Sequence, residues 1–365
     1  MEVSLTVSAA GPGASLRVRN LLDGPTIPRI LPNWTSERAR RPPATDCREE
    51  DPSMLGQAGL RQVVRSGSID LKAFHRVDDR RAFASIALDY AAVLAAAVTA
   101  SWIHHASITL LSMVIIAGRQ SALQGLVHSA CHFSLFSRRK RNETLEFLFA
   151  YPILDSVSVY RRQHLEHHRD FELQTTDRFN YLLESLELSR RGWWARTWVV
   201  FLRPLSGHAG YRFLADAVAT YRENRVAAVR LAVYWAALLA VLGFCGWLWQ
   251  FFIYWIVPLV WLYPVFDIWA ELSDHLGARG ESRNQEGFFY SAFLKGHETY
   301  HAIHHLYPFV PYYRLRDLHD VLQKQGIAME NSRGPVDFLR IAYQSASERP
   351  LPRTNAESGA ELIET

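Results

Sequence analysis

The stretch GHETYHAIHHLYPFVPYY, residues 296–313, places four histidines within nine positions and follows them with a proline and aromatic run. On a helix, residues three and four apart share a face, so His301, His304 and His305 can aim their imidazoles at one point. Such a cluster suits a transition metal, with a solvated polar face as the alternative for one cluster taken alone.

Two further stretches remove that ambiguity. RRQHLEHHRD, residues 161–170, repeats the arrangement at His164, His167 and His168, and GLVHSACHFSLF, residues 125–136, supplies His128 and His132 one helical turn apart. Eight of the 15 histidines thus fall into three short boxes at helix-face spacing, for which a shared metal site is the economical explanation. Neutral imidazole suits iron, zinc, copper and nickel, so the ligand type narrows the metal without naming it.

Hydrophobic residues make up 49% of the 365, with 11 tryptophans, which is rich for a soluble enzyme. Residues 82–102, AFASIALDYAAVLAAAVTASW, are interrupted by Asp89 alone and reach the roughly 20 residues needed to cross a bilayer. A second apolar run from Ala106 continues through Arg119, Gln120 and Gln124 toward His128, which predicts one long helix with Arg119 reaching for the membrane interface. Two more spans are expected at 226–249 and 251–270, against the alternative of a buried helical hairpin in a soluble core. The fold expected is therefore all-α: an integral membrane protein with spans near 82–103, 106–127, 226–249 and 251–270, and a cytoplasmic helical domain carrying the histidine boxes.

Charge orients these spans. Arg76, Arg80 and Arg81 precede the first, SRRKR at 137–141 follows the second, Arg222 and Arg225 precede the third, and Arg279 and Arg283 follow the fourth. The short connections at His104, His105 and Gln250 carry no lysine or arginine. Basic flanks mark the cytoplasmic side, so both termini and all three boxes are expected there. The net charge of +4 then follows from membrane topology, and no nucleic acid partner is implied. No box falls at mid-membrane depth, which argues against an ion pathway built from histidines.

The order H-x-x-x-H, H-x-x-H-H, H-x-x-H-H, with two spans between the second and third boxes, resembles the membrane fatty acid desaturase and hydroxylase superfamily. HHLYPFVPYYRL at 304–315 is similar to the segment that closes the third box in bacterial members. The resemblance covers roughly residues 75–325. It implies two non-haem irons on histidine nitrogens, dioxygen as co-substrate and electrons from an external donor, a ferredoxin or a cytochrome b5 type with its reductase. The implied ligands are His128, His132, His164, His167, His168, His301, His304 and His305. His275, in ELSDHLG after the fourth span, stands where related enzymes often carry an extra histidine. Relatives often show asparagines where this chain has His297 and Thr299, so His297 is read either as a partner or alternative ligand of the metal site or as a surface histidine. Asp155, Asp170, Asp177, Asp274 and Glu298 are candidates to accept the second N–H of a ligating histidine. Glu166 should point off the metal face.

The activity implied is O2-dependent desaturation of an acyl chain or other lipid-like substrate, held in a channel between the apolar span walls with its head near the cytoplasmic surface. The alternative within the superfamily is a hydroxylase of a lipid or a small metabolite, including an amino-acid-derived one. The second class of function is a metal-binding membrane protein such as a transporter, or a zinc-dependent membrane hydrolase, which would need only three histidines and leave most of these unexplained.

Residues 1–70, which include RARRPPATDCREEDPS, read as a flexible cytoplasmic extension, 71–345 as the desaturase-like domain and 346–365 as a disordered tail. No signal-peptide core opens the chain. No H-P-G-G stretch or cysteine cluster marks a fused electron carrier. Cys47, Cys131 and Cys245 are scattered and odd in number, which argues against a disulfide framework, and packing is the default role of Cys131. Residues 314–345 read as an amphipathic helix through Leu315, Leu318, Val321 and Leu322.

Overall fold

The computed structural model describes residues 70–169, 192–278, 282–327 and 329–343, with residues 166, 167 and 169 described by backbone alone. The expected extension up to residue 69, Asp170, Asp177, Cys47 and the expected tail lie outside the described residues. Four helices are long and apolar enough to cross a membrane: α1 (Asp79–Ile103), α2 (Ala106–Cys131), and two that follow later in the chain, Arg225–Phe244 and Leu248–His275. Asp78 begins α1 by accepting a hydrogen bond from the Arg80 amide, and His104, with φ of 52°, ends it in the left-handed region. The chain reverses at once into α2, whose first turn is capped by the His105 side chain.

Between α2 and the second pair of spans lie α3 (Val157–Arg169) and α4 (Ala209–Glu223), then α5 (Arg225–Phe244) and α6 (Leu248–His275). Gly246 takes a left-handed φ of 74°, so α5 stops at Phe244, short of the sequence-predicted end at 249, and the chain turns straight into α6. Short helices α7 (His301–Leu306), α8 (Tyr312–Lys324) and α9 (Pro335–Tyr343) complete the described chain. The amphipathic segment expected at 314–345 is thus two helices, broken by Gly326 at φ of 80°. A two-residue parallel pairing of Asn284–Gln285 with Asn331–Ser332 ties the segment after α6 to the approach of α9.

Gln120 on α2 donates to the Trp255 carbonyl on α6, and the Tyr263 hydroxyl donates to Gln124, so the two helices run in the same direction. Both hairpin turns therefore sit at one end of the bundle, and the histidine boxes gather at the other. Large apolar side chains such as Val226, Val229 and Val233 on α5 and Trp102 and Phe244 at the turn end are exposed, as befits surfaces that face lipid and its aromatic belts.

The stretch 145–156, which precedes α3, is two short 3-10 helices, Glu146–Leu148 and Tyr151–Ile153, with their connections, packed against the spans, and backbone polar groups placed there need partners. Tyr90 donates to the Leu148 carbonyl, Trp235 to that of Tyr151 and Trp255 to that of Pro152. Buried Glu146 then accepts from the Tyr151 hydroxyl, the Ser156 hydroxyl and the Val157 amide, which fixes the start of α3. These partners hold the helix that bears the second box.

Two arginines differ from their expected places. Arg119 does not reach for the interface; its guanidinium bonds Asp89 at 3.1 Å and the Ser291 and Ala292 carbonyls, because α1 and residues 290–294 pack on either side of it. Arg283 is fully buried and donates to the Ser273 and Leu276 carbonyls at the end of α6, so it caps a helix instead of marking a charged loop. Asp89 also holds His297 at 2.9 Å, which makes it the anion shared by two cationic or hydrogen-bonding partners. Replacing it by alanine leaves the Arg119 guanidinium with its two carbonyl partners and no counter-charge. Asp89→Ala is expected to destabilise the fold by about 3–5 kcal/mol, read as a lowered thermal unfolding midpoint in detergent.

Candidate metal centre

His128 and His132 lie at the end of α2, His164 and His168 on α3, His275 at the end of α6, and His301, His304 and His305 on α7. The folded chain gathers these eight into two adjacent groups. In the first, His128, His132, His164, His168 and His304 bring one ring nitrogen each within 4.8 Å of the others; in the second, His275, His301 and His305 do the same. His128 and His301 also meet around Glu298, so the groups adjoin. The His167 side chain and that of Glu166 lie outside the described residues.

The Nε2 atoms face one another. His128 and His164 approach to 2.7 Å, His164 and His168 to 2.9 Å, His168 and His304 to 3.2 Å, and His301 and His305 to 3.0 Å. A ring nitrogen carries either a proton or a lone pair, not both. His128 Nδ1 lies 2.6 Å from Glu298 Oε2, so a neutral His128 keeps its proton on Nδ1 and presents a bare Nε2. His164 can then donate its single Nε2 proton to His128 or face His168, but one proton does not serve both contacts well. Lone pairs converging on a point call for a cation. Two nitrogens bound about 2.1 Å from one ion at right angles lie about 3.0 Å apart, and the observed separations bracket that value. The donor set therefore fits a transition metal in each group.

Burial pushes the His301 and His304 imidazoles well below their usual pKa, helped by Lys295 near His301 and by His128 near His304, which keeps both in the neutral, metal-binding form. Burial alone would raise the Glu298 carboxyl, but His128, Lys295 and Ser129 together outweigh it and hold it below the usual range. Glu298 also accepts from the Ser129 hydroxyl at 2.9 Å. Of the carboxylates named from sequence, Glu298 is the one that grips a clustered histidine most closely. Asp274 is fully buried, binds the Lys295 ammonium and the Gln285 amide, and lies 3.8 Å from His301 Nε2. Asp155 accepts from the Ser156 amide just ahead of α3 and lines a cavity of about 560 Å³ beside the histidines. His297 lies outside both groups, against Asp89 and the Tyr312 ring.

Lys295 and Glu271 were not singled out by sequence. Lys295 lies six residues before His301, outside every box, and reveals itself only through the buried Asp274 it neutralises. Glu271 lies 3.7 Å from His275, one helical turn earlier on α6, so the i, i+4 spacing was the available signal.

A bundle of lipid-spanning helices that closes one end with two histidine nests defines a histidine-rich integral membrane protein built for metal chemistry. The chain matches the fatty acid desaturase family over residues 100–332, well over half its length, and it belongs to that family. It is thus an oxidoreductase of the desaturase and hydroxylase type, which oxidises lipids in general terms. No curated protein matches the chain.

Glu298→Gln preserves the shape of the side chain but removes the charge that fixes the His128 tautomer. The variant is expected to lose about tenfold to a hundredfold in metal affinity, measured by competition with a chromogenic chelator. Wild-type affinity in the variant would show that the carboxylate does not orient the ring.

Proposed function

We propose that the chain holds two iron ions and uses dioxygen with externally supplied electrons to desaturate a lipid-like substrate. The observation that carries this reading is the pair of adjoining histidine nests at one end of a membrane bundle. His128, His132, His164, His168 and His304 would hold one iron; His275, His301 and His305 would hold the other, with His167 as the ninth ligand. When bound, the irons supply the reduction of dioxygen coupled to removal of hydrogen from an unactivated C–H bond. In desaturation, one dioxygen, two electrons and two protons join the two hydrogens removed from the substrate to give a carbon–carbon double bond and two waters.

The protein's own part is to prepare and protect that centre. Glu298 keeps a proton on His128 Nδ1, so that Nε2 faces inward with its lone pair. Asp274 and Lys295 form a neutral buried pair beside His301, which lets the second nest stay desolvated without an uncompensated charge. Gln285 donates to Asp274 and thereby ties the end of α6 to the strand pairing. Dense burial of α7 keeps bulk water from the reacting carbon. Arg76, Arg80, Arg81 and the SRRKR stretch support a cytoplasmic location for this end of the bundle, where a ferredoxin or cytochrome b5 type donor would deliver electrons.

Metal analysis of protein purified in detergent should return about two irons per chain, and stoichiometric zinc without iron would overturn the proposal. Mass spectrometry of lipids and small metabolites from cells expressing wild type or His167→Ala then reads the reaction. A product lacking two hydrogens, present only with wild type, is expected. A product gaining one oxygen instead would identify the hydroxylase, in which one dioxygen, two electrons and two protons yield an alcohol and one water.

A further inference from the structure

Between the second box and α5, residues 193–223 form two helical arms. The first runs from Trp193 through Leu202 to a break at Gly207, whose φ is 94°, and the second is α4. Each arm exposes a row of apolar side chains. On the first, Trp194, Trp198 and Leu202 follow one another at four-residue intervals, with Trp193 beside them. On α4, Tyr211, Leu214 or Ala215, and Val218 share one face, and exposed Arg222 ends the row. Rows of large exposed apolar side chains mark a surface that meets something other than water.

Height along α6 shows what covers it. Exposed Phe244, Trp247 and Trp249 ring the turn before α6, the aromatic belt of a membrane boundary. Trp261 lies thirteen residues past Leu248, about 20 Å along the helix, in a hydrocarbon layer about 30 Å thick. It therefore sits about 10 Å inside the opposite boundary, and any tilt of α6 puts it deeper. The tip joining the two arms is seated at that height. The Trp261 indole donates to the Leu205 carbonyl at 2.9 Å, and Gly210 lies so close to the Val260 carbonyl that a Cβ there would overlap it. About two turns nearer the histidines, the Trp269 indole donates to the Val200 carbonyl at 2.6 Å. The first arm thus descends from Val200 to Leu205. The second climbs back, with Phe213 edge-on to Tyr263 and the Tyr221 hydroxyl donating to the Leu154 carbonyl at 3.3 Å. Irregular backbone at membrane depth is tolerated where the protein supplies its partners, as both indoles do here.

We infer that residues 193–223 are a hairpin inserted into the membrane leaflet on the histidine side, and that the partner of its exposed rows is the acyl chains of that leaflet. Continuity with the spans supports this occupant, because α5 follows α4 after Asn224 alone and exposes Val226, Val229 and Val233. Ala209, Phe213, Asp216 and Ala217 line the cavity beside the histidines, so the hairpin brings one wall of that cavity into the leaflet. Insertion does not depend on which metal the histidines hold.

The test uses full-length protein in phosphatidylcholine nanodiscs, with Cys47→Ser and Cys245→Ser leaving buried Cys131 as the one native thiol. A fluorescent thiol label is attached at Leu202→Cys or Leu214→Cys. Val233→Cys on α5 gives the lipid reference, and Asp317→Cys, at an exposed position on α8, the water reference. Quenching by lipid carrying a nitroxide on its acyl chain is compared with quenching by aqueous iodide. Labels at 202 and 214 are expected to match the one at 233, with iodide quenching about fivefold weaker than at 317. Iodide quenching equal to that at 317 would overturn the inference. Protection from both quenchers would overturn it too, since protein, such as a second copy of this chain, would then cover the rows. Should a labelled variant not fold, the unsubstituted protein is irradiated in nanodiscs containing phosphatidylcholine with a mid-chain diazirine. Adducts are then expected on residues 198–218 as well as on the spans, and adducts confined to the four spans would sink the assignment.

Discussion

The site depends on how closely residues 290–298 sit on α2. Gly118 and Gly125 present no side chain on that face, and a Cβ at Gly118 would collide with the Ala292 carbonyl, while one at Gly125 would press on the Glu298 side chain. Gly296, at a left-handed φ of 54°, lets the loop lie directly on Ala122. Arg119 bonds the carbonyls of Ser291 and Ala292 between these contacts. This seating brings Glu298 to His128 and Ser129, and so sets the third box against the first. Without it the two boxes would lie on separate elements with no common focus.

The same end of the bundle solves an electrostatic problem. Taking charges out of water is expensive unless each finds a partner, and several buried ionisable groups among the described residues have one. Asp274 meets Lys295, Asp89 meets Arg119 and His297, and Arg283 meets Glu330 and two helix-end carbonyls. Tryptophan indoles do the corresponding work for the backbone ahead of α3, which explains part of the chain's unusual tryptophan content.

Beside the histidine nests the cavity wall is formed by α4, α6 and the approach to α3, and α4 itself lies outside the histidine boxes.

The spans and the boxes were legible in the sequence because both are local patterns: runs of about 20 apolar residues, and histidines three or four apart on one helix face. Asp89 was visible only as the lone charge in the first run. What the sequence could not give was the partner's identity, since Asp89 meets His297 across 208 positions and Ser129 meets Glu298 across 169. Five carboxylates looked equally able to orient a histidine, and only packing chose Glu298 for His128. Arg119 and Arg283 were misplaced for the same reason, because a basic residue near a span end reads as interfacial until the carbonyls that capture it are known. Helical periodicity fixes which side chains share a face; the close approach of glycine-bearing surfaces, far apart in the chain, decides which faces meet.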